Sequence, residues 1–216
     1  MKSKRAKIIL KILNKIYPKT PIPLQHKNTF TLLLSVALSA QTTDVNVNNV
    51  TKNIYSKYYK PEHFVKLGRK KIERLIKRIG LFRNKAKSVF LLSKQLIKRH
   101  NGKVPKNFKD LENLHGVGHK TASVIMSQKF GIPAFPVDTH IHRCAQRWGL
   151  TSGKNVKTTE RDLKKIFPEE EWNKLHIQII MYARKFCTAR TCFGLDCEIC
   201  KTCYPKRIRK FKHKKP

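Results

Sequence analysis

Residues 114–138 read LHGVGHKTASVIMSQKFGIPAFPVD, from Leu114 to Asp138, and the rest of the chain is organised around them. A Gly-Val-Gly turn (Gly116, Val117, Gly118) runs directly into a helical pattern that begins at Lys120, and Asp138 follows an extended, proline-containing segment. A glycine-spaced turn at a helix start exposes backbone N–H groups that can hold a phosphate. Both glycines are expected in backbone conformations closed to other residues, bringing amides close to that phosphate. A lysine at the same helix start, among many cations and partly buried, sits in a field that favours the neutral, nucleophilic amine. Phosphate grip, amine and carboxylate together suggest an enzyme acting on the sugar or base of a nucleic acid. Blander readings stand beside this one. The turn can be a plain helix corner, Lys120 a surface lysine, and Asp138 the N-cap of the helix from Thr139 to Trp148; the last is compatible with a chemical role.

Outward from this stretch, helical periodicity dominates and strand alternation is nearly absent. Ala6, Ile9, Leu10, Leu13 and Tyr17 fall on one helix face, and Phe30–Ala40 (FTLLLSVALSA) is apolar all round, as a helix buried on every side would be. Pro61 opens a short helix, and Ile72, Leu75, Ile76 and Ile79 mark another, stopped by Gly80. Phe108, Leu111 and Leu114 form the short helix before the Gly-Val-Gly turn. Further helices carry Trp148, Leu163 and the face Trp172, Leu175, Ile179, Ala183, Phe186. The expected fold is all-α, with roughly ten helices and no solenoid repeat. Residues 204–216 read as a solvated basic tail.

Charge narrows the partners. Lys and Arg number 48 against 13 Asp and Glu, a formal +35. Such an excess points to a polyanion, and nucleic acid is the natural one, although charge alone carries no base specificity. No apolar run is long enough for a membrane span. The basic start has Lys11 inside its apolar run and no small-residue cleavage site after it, so a cytoplasmic protein is expected, nucleoid-associated if bacterial. In that compartment disulfides are rare. Five of the six cysteines nonetheless crowd into Cys187-TART-Cys192-FGLD-Cys197-EI-Cys200-KT-Cys203, which argues for metal, either an iron–sulfur cubane or zinc.

Leu114–Ala122 (LHGVGHKTA) and Val137–His140 (VDTH), with the block Leu38–Asp44 (LSAQTTD), resemble the helix–hairpin–helix DNA glycosylases of the endonuclease III branch. The resemblance covers almost the whole chain. It implies a two-lobed fold: a six-helix barrel lobe over 22–133, including the helix–hairpin–helix at about 107–130, and a second lobe of 1–21 plus 134–203. Between them would lie a DNA cleft, with Lys120 and Asp138 approaching from opposite lobes. It also implies a monomeric base-excision-repair enzyme that removes oxidised pyrimidines from damaged duplex DNA and cuts the abasic strand. Lys120 would be the nucleophile, Asp138 the carboxylate that supports the sugar cation, Gln41 the plug of the vacated stack and Leu81 a wedge, with Gly116, Val117 and Gly118 gripping the strand. An adenine-mismatch glycosylase is disfavoured because such enzymes lack a lysine at this position. A non-enzymatic helix–hairpin–helix module would bind DNA without cutting it.

The cysteines depart from that family's C-x6-C-x2-C-x5-C pattern for a [4Fe-4S] cluster. Gly194 stands where the second ligand is expected. Cys187, Cys197, Cys200 and Cys203 give C-x9-C-x2-C-x2-C, with Cys192 spare or substituting for one of them. The loop 187–203 is expected to hold the [4Fe-4S] cluster, with zinc as the alternative.

Overall fold

The computed structural model describes residues 2–215; Met1 and Pro216, the outer bounds of the expected lobe and tail, lie outside the described residues. Among the described residues the chain is all-α, with eleven α-helices and no strand. No helix among the described residues is long and apolar enough to cross a membrane. The chain divides into two compact units, Ile22–Ile132 and the pair of segments Met1–Pro21 and Pro133–Pro216.

The first unit holds α2 (Thr29–Leu38), α3 (Asp44–Lys57), α4 (Pro61–Leu75), α5 (Phe82–His100), α6 (Phe108–Glu112) and α7 (His119–Phe130). Helix α2 is its spine, with Leu32, Leu33 and Leu34 buried on successive faces. A capping box between Asn28 and Thr31 satisfies its first amides. Helix α4 breaks at Gly68, whose φ of 71° no helix accommodates, so the segment is two short helices in succession. The turn from Ile76 to Leu81 then leads into α5, which packs against α4.

The second unit is built from α1 (Lys2–Ile16), α8 (Thr139–Arg147), α9 (Val156–Ile166), α10 (Trp172–Lys185) and α11 (Glu198–Cys203). Ala6, Ile9 and Leu13 of α1 sink into a core with Trp148, Leu163, Leu175 and Tyr182. Gln178 of α10 donates to Leu13 O, Asn14 Oδ1 and Tyr17 O at 3.3, 2.9 and 2.8 Å, satisfying the open carbonyl end of α1.

Two expectations change here. The cysteine stretch is not all loop, because α11 occupies Glu198–Cys203 with Ile199, Cys200 and Cys203 buried. The C-terminal segment is not a solvated tail either. Lys214 N donates to Gln146 Oε1 at 2.8 Å, Gln146 Nε2 returns a bond to Lys214 O at 3.0 Å, and Phe211 N donates to Phe193 O at 2.8 Å. Its charges read as solvated, but its backbone is docked.

Candidate active site and cysteine centre

The hairpin begins with α6, whose N-cap Asn107 accepts from Asp110 N at 2.8 Å. Leu111 and Leu114 are buried, and Val117 N donates to Leu114 O at 3.1 Å, so the turn closes on its own backbone. The Val117 side chain is buried too, anchoring the turn from below and leaving only its backbone for a ligand. Gly116 has φ +79°, and a Cβ there would stand 2.7 Å from Ser88 Cβ on α5. Only glycine fits. Gly118 differs from expectation: at φ −95°, ψ 175° it is extended backbone, with nothing within 4 Å of an added Cβ. It is also the N-cap of α7 and supplies no side-chain cap, so the first amides of α7 are left to face whatever approaches.

Gln95 of α5 brackets this turn, accepting from His115 N at 2.6 Å and donating to Asn113 O at 3.2 Å. Its role was not legible in the sequence, because a glutamine mid-helix carries no signal of what it faces. His119 pairs with Glu112 at 2.7 Å and stacks on Phe108 at 5.7 Å between ring centroids. Lys120 sits in the first turn of α7 and is exposed, not partly buried as expected.

Gln41 and Leu81 belong to the same unit as Lys120, and both occupy the left-handed region, at φ 56° and 59°. For residues with a Cβ this conformation is costly, and it persists only where the surroundings hold it. The two turns lie together: a Cβ on Gly80 would come within 3.9 Å of Gln41 O. Asn46 Nδ2 donates to Arg78 O at 3.1 Å, and Lys85 Nζ donates to Ala40 O at 2.6 Å. Lys85 is only 8% exposed, and burial lowers its pKa. Leu81 points the other way, 56% exposed on the surface. Sequence reasoning missed Lys85 because one buried lysine is invisible among so many solvated ones.

Asp138 lies in the other unit. It is half-buried and caps α8, with Oδ1 accepting from Ile141 N at 2.8 Å, a bond that fixes the carboxylate's orientation. His142 is buried and paired with Thr159 Oγ1 at 2.8 Å; burial pushes its pKa down. His140 lies 3.3 Å from Arg143.

The cysteine centre is also in this unit. The sulfurs of Cys187, Cys192, Cys197 and Cys200 are buried and all within 4.8 Å of one another. Cys203 is outside that group, and Cys192, the expected substitute, stands within it. The reason lies in the loop. Phe193 and Gly194 both adopt positive φ, 43° and 83°, and this bend turns Cys192 inward. The two α8 arginines hold the loop's start, Arg143 Nη2 donating to Cys187 O at 3.1 Å and Arg147 Nη1 to Thr188 O at 2.6 Å. Hydrogen bonding with Cys187 above all makes Cys192 the most readily ionised sulfur of the four, while burial raises Cys203 to about 11. Thiolates are donors for zinc and for iron–sulfur clusters alike, so the group can hold a metal.

An uncapped helix–hairpin–helix turn in an all-α chain, with a lysine just inside the second helix, defines a DNA-binding class of protein. The family model of the HhH-GPD superfamily of base excision DNA repair proteins matches residues 34–169. Endonuclease III of Bacillus subtilis is 38% identical over 201 residues, covering 93% of this chain and 92% of that protein. Endonuclease III of Rickettsia prowazekii is 41% identical over 192 residues, 89% of each. A trapped endonuclease III–DNA covalent intermediate superposes with a TM-score of 0.87 at 38% identity, over 91% of this chain and 93% of that one. The chain belongs to the HhH-GPD superfamily, in its endonuclease III family, and is a DNA glycosylase and abasic-site lyase.

Proposed function

We propose that this enzyme removes oxidised pyrimidines from damaged duplex DNA and then cuts the abasic strand 3′ to the lesion, through a Schiff base on Lys120. The observation that carries the reading is Lys120 itself, exposed in the first turn of α7 beside amides that Gly118 leaves uncapped. Because Lys120 is exposed in the free protein, exclusion of water around it falls to the bound DNA.

A base stacked in a duplex is out of reach, so the damaged nucleotide is flipped out. Gln41 fills the vacated stack and Leu81 wedges the opposite strand; both are presented on rigid left-handed turns, which limits the entropy lost on insertion. The Gly116–Gly118 backbone grips the neighbouring phosphate. Lys120 Nζ attacks C1′ through its lone pair, the N-glycosidic bond breaks, and the base departs with the bonding electrons and takes up a proton. Asp138, its carboxylate oriented by Ile141 N, stabilises the cationic sugar as it forms and assists the proton transfers. Ring opening gives the Schiff base, whose pull on electrons makes the C2′ proton acidic. Loss of that proton expels the 3′ phosphate. Hydrolysis of the imine returns the free lysine.

The resemblance implies a [4Fe-4S] cluster at the cysteine group. Its thiols are the right donors, yet they stand closer together than a cubane requires, and no step of the reaction runs through them. The protein works as a monomer. Borohydride reduction should trap wild-type protein covalently on abasic duplex, and Lys120→Gln should not trap. Persistent trapping by that variant would remove Lys120 as the nucleophile.

A further inference from the structure

We propose that Cys187, Cys192, Cys197 and Cys200 hold a single tetrahedral metal ion of the zinc class, in place of the [4Fe-4S] cluster that the family resemblance implies.

Spacing is the first argument. Cys187 Sγ lies 3.9 Å from Cys200 Sγ, and Cys192 Sγ lies 3.8 Å from it, with all four sulfurs inside 4.8 Å. A tetrahedral ion with metal–sulfur bonds of about 2.3 Å sets its thiolates about 3.8 Å apart. A cubane places an iron atom and an outward bond between each thiolate and the cluster centre, which opens the sulfurs to roughly 6 Å. Closing on one ion therefore asks for movements of about 1 Å or less. Admitting a cubane asks every pair of sulfurs to part.

The loop resists such parting. Arg207 Nη1 donates to Gly194 O at 3.0 Å and to Arg147 O at 2.9 Å, while Phe211 N holds Phe193 O at 2.8 Å. Arg147 Nη1 in turn reaches Thr188 O at 2.6 Å and lies 3.5 Å from Cys187 Sγ. The C-terminal segment and α8 thus clasp the loop between them.

The family's ligand arrangement is also closed off residue by residue. At position 194 the backbone has φ +83°, and a Cβ there would stand 2.7 Å from Arg207 Nη1 and 3.2 Å from Phe211 Cβ. A side chain there is strained by the left-handed backbone and would displace the Arg207 guanidinium, so the position favours glycine over a cysteine ligand. Cys192, two residues earlier, supplies the sulfur instead, and Cys203 falls outside the group. Four protein ligands leave no open coordination position, so the ion is structural. Arg143 and Arg147 offset its thiolate charge and supply hydrogen bonds around the ligands.

The test is metal content of full-length protein purified anaerobically from cells supplied with both iron and zinc. The expected result is about one zinc per chain, without acid-labile sulfide and without iron–sulfur absorbance in the visible. About four iron and four sulfide per chain would overturn the proposal, as would protein that folds with no metal. Cys203→Ser should keep its zinc, and Cys192→Ser should lose it. Should Cys192→Ser fail to fold, cobalt(II) replacement in the wild type decides: the intense visible bands of tetrahedral cobalt thiolate are expected, unchanged by Cys203→Ser. Loss of those bands in Cys203→Ser would restore Cys203 as a ligand and refute the set. None of these outcomes bears on Lys120, whose trapping assay stands separately.

Discussion

The two glycines of the hairpin look equivalent in sequence and are expected to fail differently. Gly116→Ala forces a Cβ into the left-handed region at φ +79°, which costs about 1–2 kcal/mol. It also drives that Cβ to 2.7 Å from Ser88 Cβ and 2.8 Å from Ser88 Oγ, an overlap worth about 1–3 kcal/mol because α5 is packed on its other side. The sum, roughly 2–5 kcal/mol, is a large share of ordinary stability and lowers Tm by roughly 4–20 °C in a chain of this size. Ser88→Gly removes both overlapping atoms. In a double-mutant cycle, Gly116→Ala made on that background should cost only its conformational part, about 1–2 kcal/mol. Gly118→Ala meets neither penalty, since φ is −95° and nothing lies within 4 Å, and loses only the preference for glycine over alanine at an N-cap, so stability should fall by no more than about 1 kcal/mol. On the proposed phosphate grip, its methyl group would crowd the backbone that receives the phosphate. Loss of about 1.4 kcal/mol there weakens binding about tenfold. Thermal melts and fluorescence anisotropy on a duplex with an abasic-site analogue, at one fixed salt concentration, measure both quantities. The reasoning is refuted if Gly118→Ala binds like wild type or if Gly116→Ala keeps its Tm.

Other consequences concern the inserted residues, a buried lysine and a buried histidine. Leu81→Ala and Gln41→Ala should slow base excision from duplex by tenfold or more. Strand cutting at a preformed abasic site in single-stranded DNA should change much less, and equal losses on both substrates would exclude a role in insertion. Lys85→Met removes a charge-assisted bond to Ala40 O, worth about 1.5–3 kcal/mol, but also the burden of burying an ammonium. Those terms offset, so Tm should hardly move while the loosened Gln41 turn lowers excision about tenfold; a large Tm loss with normal excision would contradict this. His142 has a pKa lowered below 6.5 by burial, so the unfolded chain binds its proton first as pH falls. Stability is then full above the ordinary histidine value and lost as pH drops through the lowered one. His142→Gln should flatten that acid limb in Tm measured against pH, and an unchanged limb would acquit the residue.

Much of the protein is written in local pattern. A continuous apolar run marks α2 and apolar periodicity marks α10, Pro61 and Gly80 bracket the broken helix and its turn, and LHGVGHKTA places the hairpin, because each depends only on neighbours a few residues away. The N-cap role of Asp138 was legible for the same reason, from one carboxylate before one helix. What the sequence could not show depends on residues far apart in the chain. The difference between Gly116 and Gly118 is set by Ser88 on another helix, the Gln41 turn is held by Lys85, and the hairpin is bracketed by Gln95. Helix α11 was too short for periodicity to reveal. The cysteine centre makes the point most sharply. Spacing alone favoured Cys203, but which sulfurs meet is decided by two left-handed residues and by arginines from α8 and the C-terminal segment, contacts that exist only once the unit has folded.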